Sequence, residues 1–301
     1  MGYTTPHPVP YQGSKRVIAP QILNFFPEDV QTLFEPFAGS AAISILAAVR
    51  GKANRFHLND LNSPLMALWD KIIHDPEWIA SGYKDLWQKQ LGNEREFYDS
   101  VRAKFNQSKE ADLMLYLLAR CVKASIRYNA SGEFNQSPDN RRLGRNPSNM
   151  REEIFAVSNL LRGRTLVTSG NFEDTTAHVT LRDLVYLDPP YQGTSSNRDG
   201  RYIKGVSIER LVEYLSDLND RNIRFILSYD GHTGPRTHGR SLPDTLGLVK
   251  LSVHAGKSAQ ATLLGRDEDT IESLYLSPAL IEQIDITAVS SERPLQESLQ
   301  F

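Results

Sequence analysis

Several features that would classify a chain quickly are absent here. There is one cysteine, Cys121, in 301 residues, which excludes a disulfide framework and fits a reducing compartment. The longest apolar run, near Ala41 to Val49, is too short to span a bilayer. The polar, proline-rich start from Met1 to Pro10 does not read as a secretory signal. A cytoplasmic protein with no membrane partner is therefore expected. No G-x-G-x-x-G fingerprint and no P-loop lysine occur, which argues against a dinucleotide site or an NTPase. No His/Cys/Asp grouping has metal-ligand spacing, so no metal is expected. Net charge is −2, so any polyanion must meet a local patch rather than a global field. What remains, 40% hydrophobic and 23% charged, is an ordinary globular composition with ample length for a core.

The most informative stretch is Tyr186-Leu187-Asp188-Pro189-Pro190-Tyr191. The apolar run Leu184 to Leu187 reads as a short buried strand. Two prolines stop it, because proline has no N–H to continue a ladder. One carboxylate, freed backbone carbonyls and one aromatic ring thus stand at a strand's carboxyl end, where ligands sit in open α/β sheets. These parts suit an exocyclic amine on a flat base. Asp188 accepts one N–H, the Pro189 carbonyl accepts the other, and the Tyr191 ring stacks on the base. Holding both hydrogens draws the nitrogen towards tetrahedral geometry and aims its lone pair at an electrophile. The bland alternative is a proline-terminated strand with a turn aspartate.

Other stretches fall in with a nucleotide-type site. Leu33 and Phe34 read as a strand, Ala38-Gly39-Ser40 as a tight turn, and Ala41 to Val49 as a buried helix. Arg55 to Asn59 reads as a second strand ending at Asp60. That acid lies about 20 residues past Gly39, the spacing of a ribose-binding acid, although a helix cap competes. Tyr11-Gln12-Gly13-Ser14-Lys15 places a Gly-Ser turn and a lysine at a helix start. It suits a carboxylate or phosphate, or simply caps a surface helix.

From Pro64 to Arg127 the pattern is helical, with Trp69, Trp78 and Trp87 read as core. Arg127 to Arg145 is polar and loop-like. Arg120 to Arg164 holds nine Lys/Arg against four Asp/Glu, a local excess that marks phosphate binding or a solvated basic face. Arg141, Arg142 and Arg145 are each suited to fork onto guanine or pair with phosphate. Gln192 to Lys204 reads as a mobile loop able to close over a flipped base. Ala255 to Gln260, with Lys257, reads as a polar loop facing DNA. From Ser290 the tail looks disordered.

D-P-P-Y after an apolar strand resembles the catalytic motif of amino-group DNA methyltransferases. The chain as a whole, from Tyr11 to about Leu276, is similar to the Dam-type family of adenine-N6 DNA methyltransferases. The resemblance implies that Asp188, Pro189, Pro190 and Tyr191 are catalytic. It implies that S-adenosylmethionine is held by Tyr11, Gly13, Lys15, Glu35, Pro36, Phe37, Ala38, Gly39, Ser40, Asp60 and Asp188. The family writes the donor loop F-x-G-x-G, and here Ala41 stands at the second glycine. Arg127-Tyr128-Asn129-x-x-Gly132-Glu133-Phe134-Asn135 matches the family's target-recognition segment. It implies Arg127, Asn129 and Asn135, with Arg141, Arg142, Arg145 and Lys257, as DNA contacts. Gln136 to Arg145 departs from the usual family wording, so the family's best-known target does not carry over.

The expected fold is α/β, a Rossmann-like S-adenosylmethionine-dependent methyltransferase sheet with an inserted, mostly helical target-recognition domain. The expected boundaries are 1–61 and 163–290 for the catalytic domain, 62–162 for the insert and 291–301 for a tail. The expected activity is methylation of adenine N6 in double-stranded DNA, with the base extruded from the duplex. A cognate restriction endonuclease is one partner to look for. A cytosine-N4 enzyme, an RNA or protein amine methyltransferase and an inactive DNA-binding regulator are the alternatives. A cytosine-C5 enzyme is disfavoured, because Cys121 does not follow a proline.

Overall fold

A computed structural model describes residues 5–190, 206–233, 236–238, 241–257 and 269–284. One sheet organises it. Its strands are β1 (Thr32–Glu35), β2 (Arg55–Asn59), β3 (Thr165–Thr168), β4 (Leu184–Leu187), β5 (Phe225–Thr233), β6 (Arg236–His238), β7 (Val249–Lys257) and β8 (Asp269–Leu276). The order across the sheet is β3-β2-β1-β4-β5-β8-β7, with β6 paired to β5. The five strands from β3 to β5 are parallel. β8 is antiparallel to both β5 and β7. The central strand β4 is apolar because helices cover both faces there, and all four of its residues are buried.

Ten α-helices fill the described residues: α1 (Ala19–Leu23), α2 (Ala42–Val49), α3 (Ser63–His74), α4 (Pro76–Lys89), α5 (Glu94–Ser108), α6 (Ala111–Arg120), α7 (Pro147–Leu161), α8 (Phe172–Thr175), α9 (Ile208–Asp220) and α10 (Pro278–Ile281). Helices α3 to α7 come between β2 and β3 as one insertion. The Asn62 side chain caps α3 by accepting from Leu65 N, and Pro64 sits in its first turn. The insertion is welded to the sheet. A single apolar cluster runs from Ile43 and Leu58 through Trp69 and Leu117 to Phe134 and Val157. On the opposite face Leu211, Leu215 and Leu218 of α9 pack with Val185, Phe225 and Leu227.

After α6 the chain makes an irregular hairpin, bridged antiparallel at Cys121–Pro138 and Tyr128–Phe134. Its turn is tied by Asn129, whose Oδ1 accepts from Ser131 N and Glu133 N, both at 2.9 Å. Asn106 clamps Phe134 through both its N–H and its carbonyl. The β7–β8 ladder extends to Lys257, paired with Asp269 across a bulge at Gly256. The segment Ala255 to Lys257, expected as loop, is therefore strand end, because the glycine at φ 83° absorbs the extra residue.

Candidate active site

The strand order reverses between β1 and β4, the switch point where α/β sheets bind ligands. A cavity of about 500 Å³ opens there. Its walls join the turn after β1 to the proline corner after β4: Glu35 to Ser40 on one side, Asp188, Pro189 and Pro190 on the other.

The turn after β1 is shaped by its backbone. Gly39 has φ 47°, and a Cβ there would lie 3.1 Å from the Tyr11 ring. Ala41 also adopts the left-handed region, φ 50° and ψ 31°, as it leads into α2. This is where the family's second glycine is expected. Alanine meets the same backbone requirement at a cost of roughly 1–2 kcal/mol. The turn is held on all sides. Ala38 N donates to Asn59 O at 2.8 Å, Gly39 N to Asp60 Oδ2 at 3.2 Å, and Trp69 Nε1 to Gly39 O at 2.8 Å. Trp69, expected as core, is fully buried and also braces the loop.

Asp60 has its second oxygen 2.9 Å from Asn62 N. It thus links the ends of β1 and β2 while lining the cavity, and burial raises its pKa. The segment Tyr11 to Lys15 folds over the same turn, with Ser40 Oγ donating to Ser14 Oγ at 2.8 Å. Lys15 is buried. Its Nζ reaches Asp188 Oδ1 at 3.2 Å and Glu272 Oε2 at 2.9 Å.

Glu35 is buried and accepts from Ser44 Oγ at 2.5 Å and Ser44 N at 3.2 Å. Burial pushes its carboxyl up to about 8; the Ser44 bonds oppose this, and the nearby charge of Asp188 adds to it. The cavity is therefore walled by three acids, Glu35, Asp60 and Asp188. Among the described residues its two cations are both engaged, Lys15 as above and Arg210 by Glu173. Such a wall suits a ligand with cationic groups, hydroxyls and amines, and does not suit a polyphosphate.

The cavity brings together every expected donor-binding residue: Tyr11, Gly13, Lys15, Glu35, Pro36, Phe37, Ala38, Gly39, Ser40, Asp60 and Asp188. It adds Leu61, Asn62, Ile126, Asn171, Phe172 and Val206, which no local pattern announced. Phe172 stacks against Phe37, with centroids 5.1 Å apart. Ile126 and Tyr128 carry the hairpin to the cavity, where Tyr128 Oη meets Asn62 Oδ1 at 3.1 Å. Tyr191 and the loop Gln192 to Lys204 lie outside the described residues, as do the tail and the side chain of Lys257.

The profile of the D12 class N6 adenine-specific DNA methyltransferases matches residues 11–280. The chain belongs to that family. The likeness drawn from the D-P-P-Y corner is thus borne out. Among D12 relatives, a retron Ec67 DNA adenine methylase of Escherichia coli is 31% identical over 192 residues, 62% of this chain and 64% of its own length. The modification methylase StsI of Streptococcus sanguinis is 29% identical over 238 residues, 73% of this chain and 35% of the relative. The type II methyltransferase M.FokI of Planomicrobium okeanokoites is 24% identical over 230 residues, with the same two shares. The matched region thus spans under two thirds of the first two relatives. A methyltransferase family implies a methyl donor, and the acid-walled cavity at the D12 switch point fits a cationic one.

The basic stretch of the D12 chain resolves into two sets. Arg127, Asn135, Arg141 and Arg142 are exposed. Arg120 is buried, and Arg151 pairs with Glu77. Arg145 is half-buried; its Nη1 donates to His7 O at 3.0 Å and pairs with Glu153 at 3.0 Å. The local positive excess counted from sequence is thus partly structural. These contacts give Arg145 a structural role, tying the N-terminal segment to α7.

Proposed function

We propose that the protein methylates the N6 amine of adenine in duplex DNA, with S-adenosylmethionine as donor. The observation that carries this is the 500 Å³ cavity joining the Gly39 turn to the Asp188 corner under an acidic wall. Bound there, S-adenosylmethionine supplies an electrophilic methyl on a sulfonium. Asp60 is positioned for ribose hydroxyls, and Glu35 for a donor amine or hydroxyl. Lys15 fixes the Asp188 carboxylate, leaving it to accept one amine N–H while the Pro189 carbonyl accepts the other. The nitrogen lone pair forms the new C–N bond as the sulfur–carbon bond breaks, and Asp188 accepts the surplus proton. Orientation supplies most of the acceleration in such a displacement.

The target amine lies inside the helix, so the base must leave the stack, at a few kcal/mol. The helical insert at 62–162 is the DNA-reading unit in this account, between catalytic parts 1–61 and 163–290. Exposed Arg127, Asn135, Arg141 and Arg142 support that assignment. A restriction partner is suggested by the modification-methylase relatives alone.

The test is transfer of labelled methyl from S-adenosylmethionine to duplex DNA, followed by nucleoside analysis. N6-methyladenine is expected; N4-methylcytosine, or no DNA product, would overturn the proposal. Asp188→Ala is expected to abolish transfer while donor binding persists. Near-normal transfer by this variant would refute the assigned mechanism.

A further inference from the structure

Arg141 and Arg142 are not loose surface cations. Both are held by one carboxylate, that of Asp139, whose side chain is 4% exposed. Arg141 donates to it from Nε and Nη2 at 3.0 and 3.1 Å, and its backbone N–H adds a third bond at 3.0 Å. Arg142 donates from Nε and Nη2 at 3.0 and 2.7 Å. Each guanidinium spends two of its five N–H groups on the acid. The arginine side chains themselves remain 79% and 65% exposed.

The base of this arrangement is rigid. Asp139 N donates to Arg120 O at 2.7 Å, and buried Arg120 returns Nη1 to Asp139 O at 3.0 Å. Downstream, Leu143 O accepts from Gln90 and Arg145 O from Tyr83, at 2.9 and 2.7 Å. The hairpin arm that pairs with Pro138 continues to Ile126 in the cavity wall. The two forks are therefore fixed to the same framework as the site that receives the base.

We infer that Asp139 is a specificity-positioning residue, holding Arg141 and Arg142 as a pre-set, half-neutralised pair of forks that reads guanine edges in duplex DNA. This rests on the adenine-methylation reading above and deepens it. Two physical points favour base reading over phosphate binding. One buried negative charge cancels half the charge of the pair, which weakens its pull on any phosphate backbone. The ordering of two long side chains is completed in the folded protein, which suits geometric recognition of guanine O6 and N7. Non-specific phosphate contacts need charge and gain little from fixed geometry.

The experiment begins with the intact wild-type chain expressed in cells, whose DNA is sequenced by a method that reads methylated adenine. A motif containing guanine is expected. Duplexes carrying that motif, or the motif with one guanine replaced, then give a ratio of kcat/KM values. Asp139→Asn is expected to lower this ratio at least tenfold. It should also tighten binding to the altered duplex and steepen its salt dependence by about one unit of log K against log salt. Arg141→Lys with Arg142→Lys, which leaves the buried acid in place, should lose the ratio too while keeping the wild-type salt slope. If either variant keeps the ratio, or if the wild-type motif lacks guanine, the inference is overturned. Should Asp139→Asn fail to fold, Asp139→Glu, which keeps the charge but displaces the forks, takes its place and must lower the ratio likewise. Absence of any methylated adenine with the wild-type chain would instead overturn the function proposed above.

Discussion

Lys15 Nζ lies 3.2 Å from Asp188 Oδ1, so the Gly-Ser turn near the start of the chain and its proline corner meet in one ion pair. The same ammonium contacts Glu272 on β8. Lys15→Met would leave two carboxylates, each about one-fifth exposed, without their shared counter-charge. Removing one member of a fully buried pair costs 3–5 kcal/mol; with partial solvent access about 1–3 kcal/mol is expected. Denaturant midpoints check this. Methyl transfer should drop roughly 10²-fold as Asp188 loses its orientation. An unchanged midpoint and rate would show the pair to be screened by water.

Glu35 gives a pH signature. Its carboxyl keeps its proton up to pH about 8 in the folded protein, against an ordinary value of 4.5. Between those values the folded state binds the extra proton, so stability falls as pH rises through the window. The stabilising contribution is whole below pH 4.5 and gone above about 8. One such group gives a slope of at most about 1.4 kcal/mol per pH unit. Glu35→Gln should flatten the curve of melting temperature against pH across this range. A curve of wild-type steepness would assign the effect to another group.

Trp69 joins core and site through the 2.8 Å bond from its indole to Gly39 O. Trp69→Phe removes the donor and leaves a buried carbonyl unpaired, at about 1–3 kcal/mol. Donor affinity should weaken several-fold, measured by calorimetry. Ile72→Val, equally buried on α3, should cost about 1 kcal/mol of stability and leave donor affinity unchanged. Equal donor affinity in the two variants would make the indole mere filling.

Arg145 separates structural from DNA-facing charge. Arg145→Ala should lower stability by about 1 kcal/mol through loss of the His7 and Glu153 contacts. The salt dependence of DNA binding should stay at the wild-type slope. A flatter slope would return Arg145 to the DNA face.

Much of the architecture was legible because it depends on local rules. Prolines must end β4, whose bounds agree with the apolar run. A small-residue turn must precede a helix that starts at a ligand. The ladder through Gly256 was not legible, since a bulge lets strand continue where composition reads as loop. Phe172, Ile126 and Asn62 lacked any local mark, because they reach the cavity from three separate elements.

By itself the sequence determined the chemistry on offer: an acid and freed carbonyls at a proline corner, a glycine turn, a second acid, and an arginine-rich segment. Tertiary structure decided which of these share a space. Strand reversal between β1 and β4 put the corner and the turn on one cavity. Folding also sorted the arginines, burying Arg120, tying up Arg145 and aligning Arg141 and Arg142 on Asp139. Charge can be counted along a chain, but the partner that neutralises or orients it is set by the folded backbone, for near neighbours such as Asp139 and Arg141 as for the distant Arg145 and His7.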